Sequence, residues 1–218
     1  MDLSSFPLTK PLANKFRETV SGSKDGAPSW VTEMETGDAG LFGPNSAVWQ
    51  VHGCISTIVG GVRALLLQAA HPAALTGVAE NSRYESDPVG RLIGTTKWLT
   101  ITTFGSTEAI EREARRVNEM HKRVVGEFKN HDGKSEHYEA KNPKFLLWVH
   151  CAFTDAFLKS HLALGYKIDK GADQYIKEWA KSAIPLGLER APESVAEMEA
   201  ELTRFRNEEL EIGRATSE

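Results

Sequence analysis

The sequence has few cysteines, no excess of positive charge and no long uninterrupted apolar run. Two cysteines, Cys54 and Cys151, are too few for a disulfide framework or a four-thiolate zinc site, so a reducing, cytoplasmic compartment is expected. A formal net charge of −4 argues against a nucleic-acid partner. The N-terminus lacks the apolar core of a signal peptide. The most apolar run, residues 54–75, contains Arg63 and Pro72, which predicts a buried helix rather than a transmembrane segment.

Helical periodicity dominates the chain and period-two alternation is almost absent, so the expected fold class is all-α. A buried helix is predicted over about 55–70, where the pair Gly60-Gly61 allows another backbone to approach closely. The clearest helix follows Asn142 as its cap and ends at Gly165. Further helices are predicted after a cap at Asn45 or Ser46 and over 172–184. Residues 86–105 start like a helix, although their Thr-rich second half also suits a strand.

Three segments are expected along the chain. Residues 1–36 form a polar N-terminal arm, residues 37–190 a helical domain, and residues 191–218 a C-terminal amphipathic helix. That last helix carries Val195, Met198, Leu202 and Phe205 on one face. This face can pack on the same chain or on a partner, so the sequence leaves a homo-oligomer open.

Histidines lie on the apolar stripes of several predicted helices. His121 continues a stripe with Val117 and Val124, His150 shares a stripe with His161, and His71 closes the most apolar helix. A single inward histidine is usually a core residue bonded to a carbonyl. Several together favour a cofactor pocket, because each unpartnered buried polar group costs about 1–3 kcal/mol.

The motifs of other cofactors and of hydrolases are missing. The chain has no His-Glu-x-x-His zinc motif, no Glu-x-x-His pairs of di-iron bundles and no Gly-x-Ser-x-Gly. An apolar helical pocket with one imidazole ligand is a common way to hold haem. A non-haem metal held by His71, His121 and His150 stays open, as does a binding protein with ordinary core histidines.

A second stripe runs along the segment that starts near residue 88. Its members, four or three residues apart, are Arg91, Thr95, Trp98 and Thr102. In a pocket, Arg91 can pair with a carboxylate of a bound cofactor, and Thr95 can hydrogen-bond a bound ligand. The alternative is a solvated polar face.

Several motifs in order, "GDAGLFGPNSAVWQVHG", "HPAALTGVAENSRYESDPVGRLIGTT", "VNEMHKRVVG" and "LLWVHCAFTDAF", resemble the DUF2236 family of MpaB-type oxygenases and latex-clearing rubber oxygenases. The resemblance implies a globin-like helical core and a haem b (iron) cofactor. It implies an Arg-x-x-x-Thr pair near the iron, here Arg91 and Thr95. The proximal ligand falls best on His121 and next on His150, and His71 belongs to the family's "HPAAL" motif.

Two positions depart from the characterised rubber oxygenases. Those enzymes carry a lysine just before the threonine, where this chain has Gly94, and their pocket glutamate has only Glu80 as its nearest counterpart. The expected function is a haem-dependent oxygenase that acts with dioxygen on a hydrophobic, isoprenoid or alkene-bearing substrate. The alternatives are a haem peroxidase or isomerase of a small metabolite, and a non-enzymatic hydrophobic-ligand-binding protein.

Overall fold

The structure, a computed structural model, describes residues 29–32, 34, 37–81, 88–130 and 132–210, and this part of the chain is mostly helical. Its helices are α1 (Ser29–Thr32), α2 (Ala47–His52), α3 (Ser56–Gln68), α4 (Pro72–Asn81), α5 (Pro88–Phe104), α6 (Thr107–His121), α7 (Pro143–Ala163), α8 (Gly171–Trp179) and α9 (Val195–Glu208). A 3-10 segment, Ala180–Leu186, follows α8 directly. Two strands, β1 (Val125–Lys129) and β2 (Ser135–Glu139), pair between α6 and α7.

Side-chain caps set the starts of three helices, α2, α6 and α7. Ser46, Ser106 and Asn142 each accept a hydrogen bond from a backbone N–H two or three residues on, in the first turns of α2, α6 and α7. These bonds satisfy donors that have no partner inside the helix. The caps predicted at Ser46 and Asn142 are confirmed.

Helices α3 and α7 pack antiparallel at the centre of the fold. Ser56, at the start of α3, bonds His161 near the end of α7, and Trp148 near the start of α7 donates to the Gln68 carbonyl. The helices approach so closely at Gly60 that an added Cβ would lie 2.6 Å from Cδ1 of Phe157. The predicted close approach is confirmed at Gly60, whereas Gly61 faces open space.

The prediction that α3 is a buried helix is wrong for its outer face. Within α3 only Ser56, Gly60 and Ala64 are buried, while Val62 and Leu66 are 58% and 72% exposed. The reason is that α7 covers one side of α3, and no other described element covers the opposite side to the same extent.

No single helix in the described ranges is long and apolar enough to cross a membrane. Helices α3 and α4 taken together are long and apolar enough to cross a membrane, but their axes are bent by 101° at the break before Pro72. Helix α3 ends at Gln68, and Pro72 is the first residue of α4, a position at which a helix tolerates proline.

The main core lies between α2, α7 and α8. Its largest fully buried members include Val51, Phe157 and Tyr175. Helix α9 adds Met198 to this core and buries Phe205 against Trp148. The amphipathic stripe of the C-terminal helix thus packs on its own chain. The predicted boundaries at residues 36 and 190 stay predictions.

The helix predicted over 172–184 is two elements. Helix α8 ends at Trp179, and the chain tightens into the 3-10 segment that contains Pro185. Gly187 ends this segment at a φ of 98°, a conformation that favours glycine. The Thr-rich part of α5 is helical throughout, so the strand alternative is excluded there.

The expectation of an all-α fold is corrected by the β-hairpin. Each strand has five residues and buries one side chain, Phe128 in β1 and Tyr138 in β2, so the period-two pattern is short and mostly polar. The signal in the sequence is Asp132-Gly133, a turn pair that favours hairpins, and Gly133 has a φ of 76°. The two aromatic rings pack on Phe145.

Candidate functional site

The five histidines in or beside the described helices fall into two groups according to their hydrogen bonds. In the first group, His52 Nδ1 lies 2.8 Å from Thr103 Oγ1 and its Nε2 lies 2.9 Å from Tyr175 Oη. His161 Nδ1 lies 3.0 Å from Ser56 Oγ, and its Nε2 lies 3.3 Å from a backbone carbonyl. Both rings join separate helices and have no nitrogen left for a ligand. Burial, with a smaller effect from His161, lowers the pKa of His52 to about 3.

His71 also belongs to the satisfied group. Its Nδ1 accepts from the backbone N–H of Ala73 at 3.2 Å, which leaves the proton on Nε2 to donate to Glu209 Oε2 at 2.9 Å. Burial lowers the pKa of His71 although Glu209 acts in the opposite direction. Aromatic rings surround the imidazole on several sides. The structure therefore gives His71 the contacts of a core residue that joins α4 to the end of α9.

The second group is His121 and His150. Nδ1 of His121 and Nε2 of His150 are buried and have no hydrogen-bond partner in the described part of the chain. Burial lowers the pKa of both rings, that of His150 to about 4. Both are thus neutral near pH 7, and a neutral imidazole nitrogen is a common iron ligand. These two residues are the first and second candidates from the sequence for the iron ligand.

The chain holds both histidines close to the same 3-10 segment. Asn118, one turn before His121 on α6, donates from Nδ2 to the Pro185 carbonyl at 2.9 Å. Leu146, one turn before His150 on α7, packs against Ala180 and Ala183. Each histidine therefore lies one helical turn beyond a contact with Ala180–Leu186.

Helix α5 presents its polar stripe between two packed faces. On one side Ile101 packs on α6, and on the other Thr103 bonds His52 in the main core. Thr95 and Thr102 lie on the stripe between these faces. Thr102 is fully buried, and its hydroxyl has no partner among the described residues. Position 91 lies in the second turn from the start of this helix, but its side chain falls outside the described residues.

A buried ion network fixes α5 to α6. Lys97 Nζ lies 3.3 Å from Glu113 Oε2, and Arg116 donates to Glu113 Oε1 at 2.6 Å. The Glu113 side chain is only 4% exposed, so its charge needs these partners. The sequence analysis missed Glu113. The available signal was its position on the buried side of a charged helix, three residues before Arg116.

Other residues considered from the sequence lie elsewhere. Glu80 is exposed at the end of α4, with its carboxylate beside Gly126 of β1. Phe157 fills the core between His52 and Gly60. Phe153 is half-buried and remains at the edge of that core.

The described residues contain no group of three His, Cys, Asp or Glu side chains arranged to hold a metal ion. His71, His121 and His150 accordingly do not form one metal cluster in this part of the chain. Orphan nitrogens on two separate helices instead suit a cofactor that brings its own equatorial ligands and needs one imidazole, as haem does.

Comparison with known proteins identifies the family. Residues 49–218 match the model of the ER-bound oxygenase mpaB/B'/rubber oxygenase catalytic domain. The chain belongs to this family. The resemblance to DUF2236 proteins noted from the sequence is thereby confirmed. No curated protein and no solved structure matches the chain.

Membership of this family implies an oxygenase, hence an oxidoreductase, that acts on a hydrophobic substrate with dioxygen. Within the described residues, the structure separates the histidines whose ring nitrogens are both hydrogen-bonded from those that keep a buried nitrogen without a hydrogen-bond partner.

Proposed function

We propose that this chain is a haem b-dependent oxygenase that uses dioxygen to cleave a carbon–carbon double bond of a hydrophobic, isoprenoid-like substrate. Cleavage of one such bond by one dioxygen molecule gives two carbonyl groups and needs no external reductant. The observation that carries the proposal is the pair of buried imidazole nitrogens on α6 and α7 that have no partner among the described residues, in a member of an oxygenase family.

In this proposal His121 is the iron ligand and His150 is the second candidate. An unpartnered buried nitrogen costs about 1–3 kcal/mol, and a ligand bond to iron removes that cost. Haem, when bound, supplies an iron centre that activates dioxygen. A globin-like arrangement of α5, α6 and α7 around it is part of the same proposal.

The chain's own residues have separate roles. Thr95 and Thr102 place hydroxyl groups on the inward stripe of α5, where they can donate to an oxygen atom of the substrate or of dioxygen. Arg91, one turn before Thr95, is proposed to pair with a carboxylate of the cofactor. The Lys97–Glu113 ion pair holds α5 against α6, so it keeps the hydroxyl stripe in place relative to His121.

The compartment is proposed to be cytoplasmic. Cys54 and Cys151 are both free thiols, as expected for a reducing environment. Burial raises the pKa of Cys151 to about 12, so that thiol stays protonated and unreactive.

Visible absorption of the purified protein before and after addition of haem tests the proposal. The wild type should gain a strong haem band that shifts on reduction. His121→Ala should lose this band while its far-ultraviolet circular dichroism stays helical. His137→Ala is the matched control, because His137 lies on β2 and its side chain is 56% exposed.

A wild type that stays colourless with added haem would sink the oxygenase proposal and leave a hydrophobic-ligand-binding protein. A band retained in His121→Ala but lost in His150→Ala moves the ligand to α7. With haem bound, oxygen consumption with an isoprenoid alkene such as squalene tests the reaction. Turnover with hydrogen peroxide and none with dioxygen indicates a peroxidase instead.

A further inference from the structure

Helix α3 has an exposed apolar side that nothing in the described chain covers. Five large aliphatic residues, each between 43% and 72% exposed, recur there at helical spacing: Ile55, Ile58, Val59, Val62 and Leu66. These five residues are called the α3 face below. Isolated exposed aliphatic residues are ordinary on protein surfaces, but a contiguous set on one helix indicates an interaction surface.

The end of α7 extends this surface. Leu162 and Leu164 are exposed beside the start of α3, where Ser56 bonds His161. Tyr166 is also exposed, and its ring lies 5.2 Å from the imidazole of His161, which bonds the first residue of α3. An aromatic ring with a polar tip at the edge of an aliphatic surface is typical of a membrane–water interface.

The chain segments that carry the α3 face and the end of α7 have more positive than negative formal charge. Between Asp38 and Glu80 the chain has no Asp or Glu, and its single formal charge is Arg63. Between Asp155 and Asp169 the only formal charges are Lys159 and Lys167. Asp155 is buried and paired with both Arg63 and Lys159, so this surface keeps a net positive charge.

We propose that the α3 face docks this protein on an anionic lipid bilayer surface, with α3 lying in the plane of the interface. The aliphatic side chains enter the acyl region, and the lysines contact acidic headgroups. Helix α3 has 13 residues and is about 20 Å long, too short for the roughly 30 Å hydrocarbon core, so it lies on the membrane rather than crossing it.

The same features disfavour a second copy of the chain as the occupant. A two-fold contact would place this surface against itself and bring two positively charged surfaces together, while the Asp155 carboxylate of each copy is already paired within its own chain. None of the five residues of the α3 face is a Trp or an Arg, the anchors that dominate protein interfaces, and the neighbouring Arg63 is already bonded to Asp155. The proposal does not depend on haem.

Flotation of the full-length protein with lipid vesicles tests docking. Vesicles of phosphatidylcholine alone are compared with vesicles of phosphatidylcholine and phosphatidylserine at about 3:1. The wild type should float with the anionic vesicles and bind the neutral ones more weakly. Binding should fall as salt increases, because salt screens the lysines.

Val62→Glu should weaken binding to the anionic vesicles about tenfold, since it removes an exposed aliphatic side chain that would enter the acyl region and adds a negative charge. Ile184→Glu is the matched control: Ile184 is 62% exposed but lies in the 3-10 segment, outside the α3 face. Lys167→Glu should weaken binding to anionic vesicles and leave binding to neutral ones unchanged.

Two results would overturn the proposal. One is a wild type that binds neither vesicle, which means that the α3 face is covered in the full-length protein. The other is a wild-type dimer in light scattering that Val62→Glu converts to a monomer, with no vesicle binding by either form. That result assigns the face to a second copy. Loss of haem binding with vesicle binding intact affects only the oxygenase proposal.

Discussion

The histidines at one end of the core and those near the 3-10 segment differ in what their nitrogens contact. His52 and His161 use both ring nitrogens to join helices, through Thr103, Tyr175 and Ser56. His121 and His150 each keep a buried nitrogen without a partner among the described residues. All four rings are close to apolar surroundings, so burial alone does not separate the two pairs. They differ in whether each ring keeps a buried nitrogen without a hydrogen-bond partner among the described residues.

The largest expected difference is in stability. His52→Leu should lower the free energy of unfolding of the haem-free protein by about 3 kcal/mol or more, because it leaves the hydroxyls of Thr103 and Tyr175 buried without partners. His150→Leu should change it by less than about 1 kcal/mol, since its Nε2 has no partner to lose. Urea unfolding followed by circular dichroism measures both. Equal losses in the two variants would contradict the division into two groups.

The second difference is in the response to acid. Burial lowers the pKa of His52 to about 3 and that of His150 to about 4, both from an ordinary 6.5. Below pH 6.5 these two histidines bind protons in the unfolded chain but not in the folded chain. Their contribution to the free energy of unfolding is therefore fully present above pH 6.5 and is lost as the pH falls. Between pH 6.5 and 5 each of these histidines should lower the free energy of unfolding by about 2 kcal/mol.

Unfolding curves at half-unit pH steps separate the two groups. His150→Leu should flatten the slope and leave the stability at pH 7.5 nearly unchanged, whereas His52→Leu should lower the stability at pH 7.5 as well. Burial also lowers the pKa of His71 and His121, so a remaining slope of the same sign is expected. A stability that rises as pH falls from 6.5 to 5 would refute the neutral, buried assignment.

The smallest expected effect compares two adjacent threonines on α5. Both are fully buried, but Thr103 bonds His52 while the Thr102 hydroxyl has no partner in the described chain. Thr103→Val should cost about 1–2 kcal/mol, whereas Thr102→Val should be neutral or slightly stabilising without a ligand. Thermal unfolding of the haem-free variants makes this comparison. If Thr102→Val is the more destabilising change, then that hydroxyl has a partner and the stripe on α5 is structural.

Local chemistry predicted most of the helical fold. Ser46 and Asn142 cap their helices as expected, because capping depends on residues within one turn. The β-hairpin was missed because each strand buries a single side chain, which is too little pattern to detect. The break of α8 into a 3-10 segment was missed because Pro185 acts only on the last turn.

The candidate site was predicted in part. The stripes correctly placed Val117 and His150 toward the interior, and of the two interpretations left open for the stripe with Thr102, burial holds at Thr102. The sequence could not show that His71 is satisfied by Glu209, which lies 138 residues away along the chain. Nor could it show that Glu113 is buried against Lys97, since charged residues are usually solvated.

Two similarly apolar helices, α3 and α7, show which properties follow from the sequence alone and which depend on the tertiary structure. The sequence by itself determined that α3 and α7 are helices, which residues share a face, and which family the chain belongs to. Only the tertiary structure decided that α7 is buried on most sides while α3 exposes Val62 and Leu66. The physical reason is that helix periodicity is local, whereas burial and hydrogen-bond partners come from residues far apart in the chain. Which face is covered, and which imidazole nitrogen is left free, depends on those distant residues.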